Sequence, residues 1–298
     1  MSRVTANGIE LTYESIGDAE RPAVLLIMGL GMQMTAWPQP FCDALVAAGY
    51  RVIRFDNRDI GLSGKLVQAA RPNLAIAAMR YWLRLPVAAP YRLDAMTEDS
   101  IALLDALGIA AAHIVGVSMG GMIAQLIAAR HPQRCLSLTS IMSSSGDRSL
   151  PRPDLVVLRM LIARPPKSAA FDRLVAHFVR LYRAIGSPQF PTSDAVLHDR
   201  ISHSLRRSYH PAGTARQLLA IVASGNRNAD LAQIRVPTLI VHGDGDPLVP
   251  LAHGIDCARR IKGADLQVIV GMGHDLPDAL LPRLSDLLIA HWRRAAAL

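Results

Sequence analysis

Residues 112–130 of this chain read AHIVGVSMGGMIAQLIAAR, and this stretch decides the fold. Its first five residues have the apolar character of a strand buried on both faces, and residues 119–130 have that of a helix ending before Pro132. Between them, residues 116–120 match the pattern G-x-S-x-G. A sharp strand-to-helix turn needs small residues two positions on either side of its centre, because larger side chains would collide with the strand or the helix. The stretch predicts that the hydroxyl of Ser118 is lifted clear of a sheet at the positive end of a helix. The alternative is an ordinary turn with a surface serine.

The same alternation of strand and helix continues on both sides of this stretch. Predicted strands cover residues 9–16, 23–28, 51–56, 112–116, 136–142, 236–243 and 265–270, and predicted helices cover residues 41–48, 97–107, 119–130, 252–261 and 280–294. The first strand alternates apolar and polar residues, as an antiparallel strand with one exposed face does. Short β–α units in series predict an α/β protein with a mostly parallel, doubly wound sheet.

The alternation stops between residues 143 and 228. This segment is rich in Leu, Arg and Ala at helical spacing, has no clear strand pattern, and is interrupted by prolines at positions 165, 166, 188, 191 and 211. A chain of 298 residues suits one large domain with one insertion. We therefore predict a core made of residues 1–142 and 229–298, and a helical cap, or lid, made of residues 143–228.

The composition argues against several classes of protein. Hydrophobic residues make up 51% of the chain and charged residues 19%, so a large core is expected. The net charge is +8, but the arginines are scattered or paired rather than in runs, which does not favour nucleic-acid binding. The three cysteines form no C-x-x-C pair, which predicts neither a disulfide framework nor a zinc site. The sequence shows neither an apolar leader nor a run of the ~18 apolar residues that a spanning helix needs. We therefore expect a soluble, cytoplasmic protein with no stable membrane insertion. Its oligomeric state stays open.

A serine hydroxyl needs a base, and His274 is the predicted one. An acid must orient that histidine, and the chain order at strand–turn–helix serines is serine, acid, histidine. His274 lies in the loop GMGHDLP of residues 271–277, directly after the last predicted strand, where loops gather over a parallel sheet. His242, at the end of the preceding strand, is the rival, but it comes before the candidate acids in the chain.

The candidate acids follow the penultimate strand, in the loop GDGDPLVP of residues 243–250. Asp246 sits deeper in this loop, before Pro247, and its offset lets the carboxylate turn back toward the imidazole. Asp244 is expected to cap the loop through its own backbone. Asp147, after an earlier strand, is a third candidate. We predict Asp246 as the acid.

Attack on an ester carbonyl leaves negative charge on oxygen, which preorganised backbone amides stabilise. One donor is predicted to be the amide of Met119, just after the nucleophile. The other is predicted in the loop MGLG of residues 28–31, where glycines on both sides of Leu30 let that loop bend its amide inward. The alternative for the second site is a plain glycine turn.

Together these motifs resemble the α/β-hydrolase family, in its esterase, methylesterase and haloperoxidase-like branch. The markers are MGLG at 28–31 with Trp37-Pro38 after it, FDNRDIGLS at 55–63, GVSMG at 116–120, GDGDPLV at 243–249 and GMGH at 271–274. The resemblance covers nearly the whole chain outside the insertion. It implies a catalytic triad of Ser118, Asp246 and His274, oxyanion donors at Leu30 and Met119, and a helical cap over the pocket.

One departure concerns the loop after the second predicted strand. Many members of the family carry His-Gly where this chain has Met28-Gly29, so we expect weaker anchoring of that loop by hydrogen bonds, with the backbone donor at Leu30 unaffected. The turn of residues 56–63 lies close to the site in the family, and we expect it to be structural rather than catalytic.

These residues predict hydrolysis of a small, apolar carboxylic ester through an acyl-enzyme, with no metal and no organic cofactor. The same triad would also serve lactone hydrolysis, C–C bond cleavage or cofactor-free perhydrolysis. Dehalogenases and epoxide hydrolases are disfavoured, because those relatives carry Asp at the nucleophile position. The alternative from another class is a non-catalytic small-molecule-binding protein on the same scaffold.

Two apolar features remain open at this level. Six methionines, at positions 28, 32, 34, 119, 122 and 272, fall near the predicted site, where they would form either an adaptable acyl pocket or ordinary core packing. Residues 73–90 hold many apolar side chains and few charges. We expect them to pack on the body near the cap, and the alternative is contact with lipid or substrate.

Overall fold

An eight-stranded sheet forms the centre of the molecule. The computed structural model describes residues 1–67, 73–163 and 171–297. Within them the strands are β1 (Ser2–Ala6), β2 (Ile9–Ile16), β3 (Ala23–Ile27), β4 (Arg51–Phe55), β5 (Ala112–Val117), β6 (Cys135–Ile141), β7 (Thr238–Gly243) and β8 (Asp265–Ile269). Their order is β1-β2-β4-β3-β5-β6-β7-β8, and the six strands from β4 to β8 along this order are parallel. The predicted α/β class with a mostly parallel sheet is confirmed.

Helices connect the parallel strands and cover both faces of the sheet. They are α1 (Gln39–Ala47), α2 (Leu74–Trp82), α3 (Leu93–Ala106), α4 (Met119–Arg130), α5 (Leu155–Ile162), α6 (Phe171–Ile185), α7 (Asp194–Arg207), α8 (Pro211–Ser224), α9 (Asn228–Leu231), α10 (Ala252–Arg260) and α11 (Leu281–Ala295). On one face, β3 contributes Leu25 and Ile27 to a core shared with α3 and α4. On the other face, Val24 and Leu26 join a core shared with α1 and α11. A strand buried on both faces reads as an unbroken apolar run, which is why β3 and β5 were recognisable.

Strand β1, at Ser2–Ala6, was not predicted, because the first predicted strand begins at residue 9. β1 pairs with β2 in antiparallel register, from Ser2 opposite Tyr13 to Ala6 opposite Ile9. The two strands are joined by Asn7 and Gly8, whose φ angles are 48° and 73°. Asn-Gly is the preferred pair for a two-residue hairpin turn, because both central residues need positive φ.

Between β6 and β7 the described part of the chain contains helices α5 to α9 and no strand. We call α5 to α8 the insertion helices. Prolines 165 and 166, which were expected to interrupt this segment, lie outside the described residues. Two arginines of the insertion helices reach into the turn after β4, where Arg207 pairs with Asp56 (2.8 Å) and Arg216 pairs with Asp59 (2.7 Å). Hence the insertion is held to the sheet by buried charges as well as by apolar contacts.

The segment of residues 73–90 begins with helix α2, which packs on α8 of the insertion. Arg148 lies over the ring of Tyr81 and Arg152 over the ring of Trp82, which ties the end of α2 to the chain before α5. The side chains of Trp82 and Leu83 remain exposed. The segment was expected to pack on the body near the cap, and its helix packs on the insertion itself. No helix within the described ranges is long and apolar enough to cross a bilayer.

Replacement of Arg216 by Met should lower the free energy of unfolding by about 3–5 kcal/mol, because it leaves a buried carboxylate without its partner. Arg216 donates to both oxygens of Asp59, at 2.8 and 2.7 Å, and the two side chains are 2% and 0% exposed. The control is Arg200→Met, which removes an exposed pair in which one guanidinium nitrogen contacts both oxygens of Asp278. That variant should lose about 1 kcal/mol or less. Urea unfolding measures both, and equal losses would contradict the assignment of Arg216 as a buried anchor.

Candidate active site

The turn that carries Ser118 joins β5 to α4. Ser118 has φ 55° and ψ −117°, a conformation that L residues rarely adopt. A Cβ atom on Gly116 would lie 2.1 Å from the carbonyl oxygen of Gly120, and one on Gly120 would lie 2.1 Å from that of Ile27. Since these neighbours are backbone atoms, neither glycine can be replaced without moving the sheet or the helix. The steric reason for the G-x-S-x-G spacing is therefore present in this chain.

Ser118, His274 and Asp246 are linked by hydrogen bonds. The Oγ atom of Ser118 lies 3.0 Å from Nε2 of His274, and Nδ1 of His274 lies 2.7 Å from Oδ2 of Asp246. The other carboxylate oxygen of Asp246 accepts from the amides of Leu248 (2.9 Å) and Val249 (2.8 Å). These two amides fix the carboxylate and leave Oδ2 to face the imidazole. The structure thus brings together three residues that are far apart in the chain.

His242, the rival base, lies beside this group without joining it. Its Nε2 atom donates to the carbonyl of Val249 at 2.7 Å and is 3.8 Å from Oδ2 of Asp246. Burial lowers the pKa of His242, which keeps the ring neutral. The ring also packs against Gly254, where a Cβ atom would lie 2.6 Å from Nδ1. His242 therefore supports the loop that carries Asp246, and the hydrogen bond to Ser118 comes from His274.

The rival acids are bonded elsewhere. Asp244 was expected to cap its own loop; its carboxylate instead accepts from the amide of Gly271, in the loop after β8, at 2.6 Å. Asp147 accepts from Ser149 and Asn228 and pairs with Arg260. These hydrogen bonds, those from Ser149 foremost, lower the pKa of Asp147 to about 2. Each of the two carboxylates is thus occupied by contacts with its own surroundings.

The Met119 amide directly follows Ser118, and the Leu30 amide belongs to the loop after β3. A Cβ atom on Gly29 would lie 3.3 Å from Cβ of Ser118, so the loop after β3 passes directly over the serine. The carbonyl of Gly29 accepts from the amide of Met32 at 3.2 Å, which points the N–H of the same peptide, that of Leu30, the opposite way. Within the described residues neither the Leu30 nor the Met119 amide donates to a protein acceptor. Both are available to a ligand.

The loop after β3 is anchored by the turn after β4, which was expected to be structural rather than catalytic. Asn57 donates to the carbonyl of Met28 at 3.0 Å, and Asp56 accepts from the amides of Met34 and Leu62, each at 2.8 Å. These bonds anchor a loop that was expected to be held less firmly, because position 28 is methionine where many family members have histidine. The signal was present in the motif FDNRDIGLS, which carries the polar side chains immediately after a buried strand.

Most of the methionines near the site are core residues. Met28 and Met272 pack in the core on the α11 face, Met119 and Met122 in the core on the α4 face, and Met34 is fully buried. Met32 is partly buried and packs against the α11-face core. These positions favour core packing over an adaptable pocket.

No group of three or more His, Cys, Asp and Glu side chains that could hold a metal ion occurs in the part of the chain that the structure describes.

The sheet order and the serine turn define the class of protein. The family model described as alpha/beta hydrolase fold matches residues 22–278, and the chain belongs to this family of hydrolases. The family resemblance drawn from the sequence motifs is confirmed.

Individual relatives are similar over most of their length. The chain is 30% identical to the rhodomycin D methylesterase of Streptomyces sp. strain C5, with 98% of both chains covered. It is 25% identical to 3-oxoadipate enol-lactonase 2 of Acinetobacter baylyi, with 89% of this chain and 87% of the lactonase covered. Among solved structures, the meta-cleavage product hydrolase of Pseudomonas fluorescens IP01 superimposes with a TM-score of 0.76 at 21% identity, covering 99% and 98% of the two chains. That likeness supports the fold.

Proposed function

We propose that this protein hydrolyses small carboxylic esters through an acyl-enzyme on Ser118. The observation that carries the proposal is the hydrogen-bonded chain Ser118–His274–Asp246 next to two backbone amides with no protein acceptor. A serine, a base that contacts it, an acid that orients the base and a pair of oxyanion donors are the parts that acyl transfer requires. The chemistry needs no metal and no organic cofactor.

Asp246 is proposed to set the tautomer of His274. Because Oδ2 of Asp246 accepts from Nδ1–H, Nε2 presents a lone pair to the hydroxyl of Ser118. Ser118 Oγ attacks the ester carbonyl and His274 takes its proton. The amides of Leu30 and Met119 donate to the oxyanion of the tetrahedral intermediate. His274 then protonates the departing alcohol, and a water molecule activated by the same ring releases the acid.

Methyl esters of small apolar acids are the proposed substrate class. Two curated relatives are rhodomycin D methylesterases, at 30% and 29% identity over 98% of this chain.

Residues 143–228 are proposed to form a cap over the pocket, held by the buried anchors of α7 and α8. The proposed compartment is the cytoplasm, since Cys42, Cys135 and Cys257 are all buried and unpaired.

Rapid mixing with p-nitrophenyl esters tests the acyl-enzyme directly. We expect a burst of one equivalent of p-nitrophenol per chain, followed by slower steady turnover, with acetate, butyrate, octanoate and laurate esters compared. Acid quenching during the burst should trap the acyl group, and digestion with mass spectrometry should locate it on the peptide that contains Ser118. Absence of a burst and of turnover with every ester would favour a binding protein on the same scaffold.

Lactone hydrolysis is a second candidate, favoured by the enol-lactonase relative at 25% identity. A lactone is an internal ester, so the same residues would act and the alcohol would stay attached to the acid. Parallel assays of a methyl ester and a lactone of the same acid, followed by proton release, separate the two. The larger kcat/KM identifies the preferred substrate.

A further inference from the structure

The loop after β3 is held by the insertion helices at three consecutive residues. The amide of Gly31 donates to Oε1 of Gln217 in α8 at 2.9 Å. The hydroxyl of Tyr182 in α6 donates to the sulfur of Met32. The side chain of Gln33 bonds to Ser204, Arg207 and Ser208, at the end of α7. The loop that carries the Leu30 amide is therefore in direct contact with the insertion helices as well as with the sheet.

Gln217 is the contact that reaches the backbone of this loop. Its side chain is fully buried, and both ends of its amide are used. Oε1 accepts from Gly31, and Nε2 donates to the carbonyl of Arg58 at 2.9 Å. Gln217 thus joins the loop after β3, the turn after β4 and helix α8 through one side chain. The adjacent residue Arg216 fixes α8 on the same turn through Asp59.

The peptide that carries the Leu30 amide lies between two peptides that side chains hold. On one side, Asn57 donates to the carbonyl of Met28; on the other, Gln217 accepts from the amide of Gly31. Gly31 has φ +70°, and a glycine at this position has little conformational stiffness of its own. The carbonyl of the same peptide, that of Gly29, also accepts from the amide of Met32 at 3.2 Å. The direction of the Leu30 N–H therefore depends on this local bond and on a residue of the insertion that holds the next peptide.

We propose that Gln217 is a positioning residue for the oxyanion hole: docking of α8 aims the Leu30 amide at the substrate carbonyl. The inference rests on the proposed function, because it assigns Leu30 the role of oxyanion donor. Gln217 touches no reacting atom in this proposal. The insertion then does more than cover the pocket, since its withdrawal would disorder one of the two donors.

Gln217→Met tests this, because methionine has nearly the same length and volume, cannot donate to Arg58, and offers the Gly31 amide only a weakly accepting sulfur. We expect kcat/KM for an activated ester to fall about 10- to 100-fold, somewhat less than for loss of a whole donor, because the amide stays present but is no longer aimed. The fall should appear in kcat with KM changed less than about twofold, since the donor acts mainly on the transition state.

An alkyl boronic acid provides a readout that simple destabilisation does not move. Ser118 Oγ adds to boron, His274 takes the proton, and an oxygen of the tetrahedral adduct occupies the oxyanion position. The inhibition constant of the boronic acid should be higher for Gln217→Met than for the wild type, by the same factor by which kcat/KM falls. The folded, active fraction is counted separately as the end-point of labelling with a fluorophosphonate.

Two further variants complete the comparison. Gln125→Met removes another fully buried glutamine, one that bonds to Ser140 and Arg227 rather than to the loop. The inhibition constant of the boronic acid for this variant should equal that for the wild type, even where the variant is less stable. Gln217→Asn keeps the amide and shortens the reach, and it should fall between wild type and Gln217→Met; it also replaces Gln217→Met as the test if that variant does not fold.

Amide exchange of the loop of residues 28–34 tests the positioning without any ester. Exchange at Gly31, whose amide donates to Gln217, should be faster in the Gln217 variants and unchanged in Gln125→Met. Wild-type protein that neither hydrolyses esters nor binds the boronic acid would refute the proposed function, whatever the exchange data. An active wild type, with Gln217→Met equal to it in kcat, boronate affinity and exchange, would refute the role of Gln217 alone.

Discussion

Replacing Ser118 with alanine should lower kcat/KM for an activated ester about 10⁶-fold, the scale found when the nucleophile of a serine hydrolase is removed. The reason is chemical: alanine cannot form the acyl bond, so only direct attack by water remains. The backbone should stay as it is, because the Ser118 side chain bonds to the ring of His274 and to no other described side chain. Steady-state assays with p-nitrophenyl butyrate, run at high enzyme concentration, cover the required range.

The double variant Ser118→Ala with His274→Ala shows whether the two residues act as one catalytic unit or contribute independently to the rate. Residues that act as a unit are non-additive, so the second substitution should cost less than about tenfold once the first is present. Binding of a ground-state analogue should stay within a few-fold in both proteins. Retention of more than a tenth of wild-type activity by Ser118→Ala would move the nucleophile elsewhere and end the proposed mechanism.

Much of the fold could be predicted because the central parallel strands β3, β5 and β7 are buried on both faces. Continuous apolar runs such as Ala23–Ile27 cannot be exposed, and the glycines that follow them mark where loops leave the sheet. In a parallel sheet these loops gather at one edge, so residues that directly follow strands become neighbours. Ser118, Asp246 and His274 all follow strands in this way, which is why the sequence allowed them to be proposed together.

Other parts could not be predicted because the information lies in distant contacts. Gln217 is separated from Gly31 by 186 positions, and a glutamine within a helix has no sequence pattern that identifies its partner. The offset of Asp246 within its loop favours it over Asp244, but the motif does not show the amides of Leu248 and Val249, which hold Oδ1 and leave Oδ2 facing the imidazole. The missed strand β1 is different, because Asn7 and Gly8 form a recognisable hairpin signal before a predicted strand.

Replacing Asp246 with asparagine should lower kcat about 10⁴-fold while leaving the site's geometry almost unchanged; the expected magnitude is that of the same substitution in a well-studied protease triad. The amides of Leu248 and Val249 both donate to Oδ1 of Asp246, so the carbonyl oxygen of asparagine must take that position. Its NH₂ group then faces Nδ1 of His274, where a carboxylate oxygen lay at 2.7 Å. A donor in that position selects the tautomer with the proton on Nε2, so His274 has no lone pair for Ser118.

Asp244→Asn is the matched control for this tautomer argument. Asp244 uses Oδ1 to accept from the amide of Gly271, and asparagine keeps a carbonyl oxygen for that bond. Its activity should stay within about twofold of wild type, since no step of the proposed acyl transfer uses this side chain. Steady-state kinetics of both variants, with the fluorophosphonate end-point to count active sites, decide the matter. A large loss of activity for Asp244→Asn with a small one for Asp246→Asn would reverse the two roles. Only the acid that orients His274 should, when converted to an amide, move the ring proton from Nδ1 to Nε2.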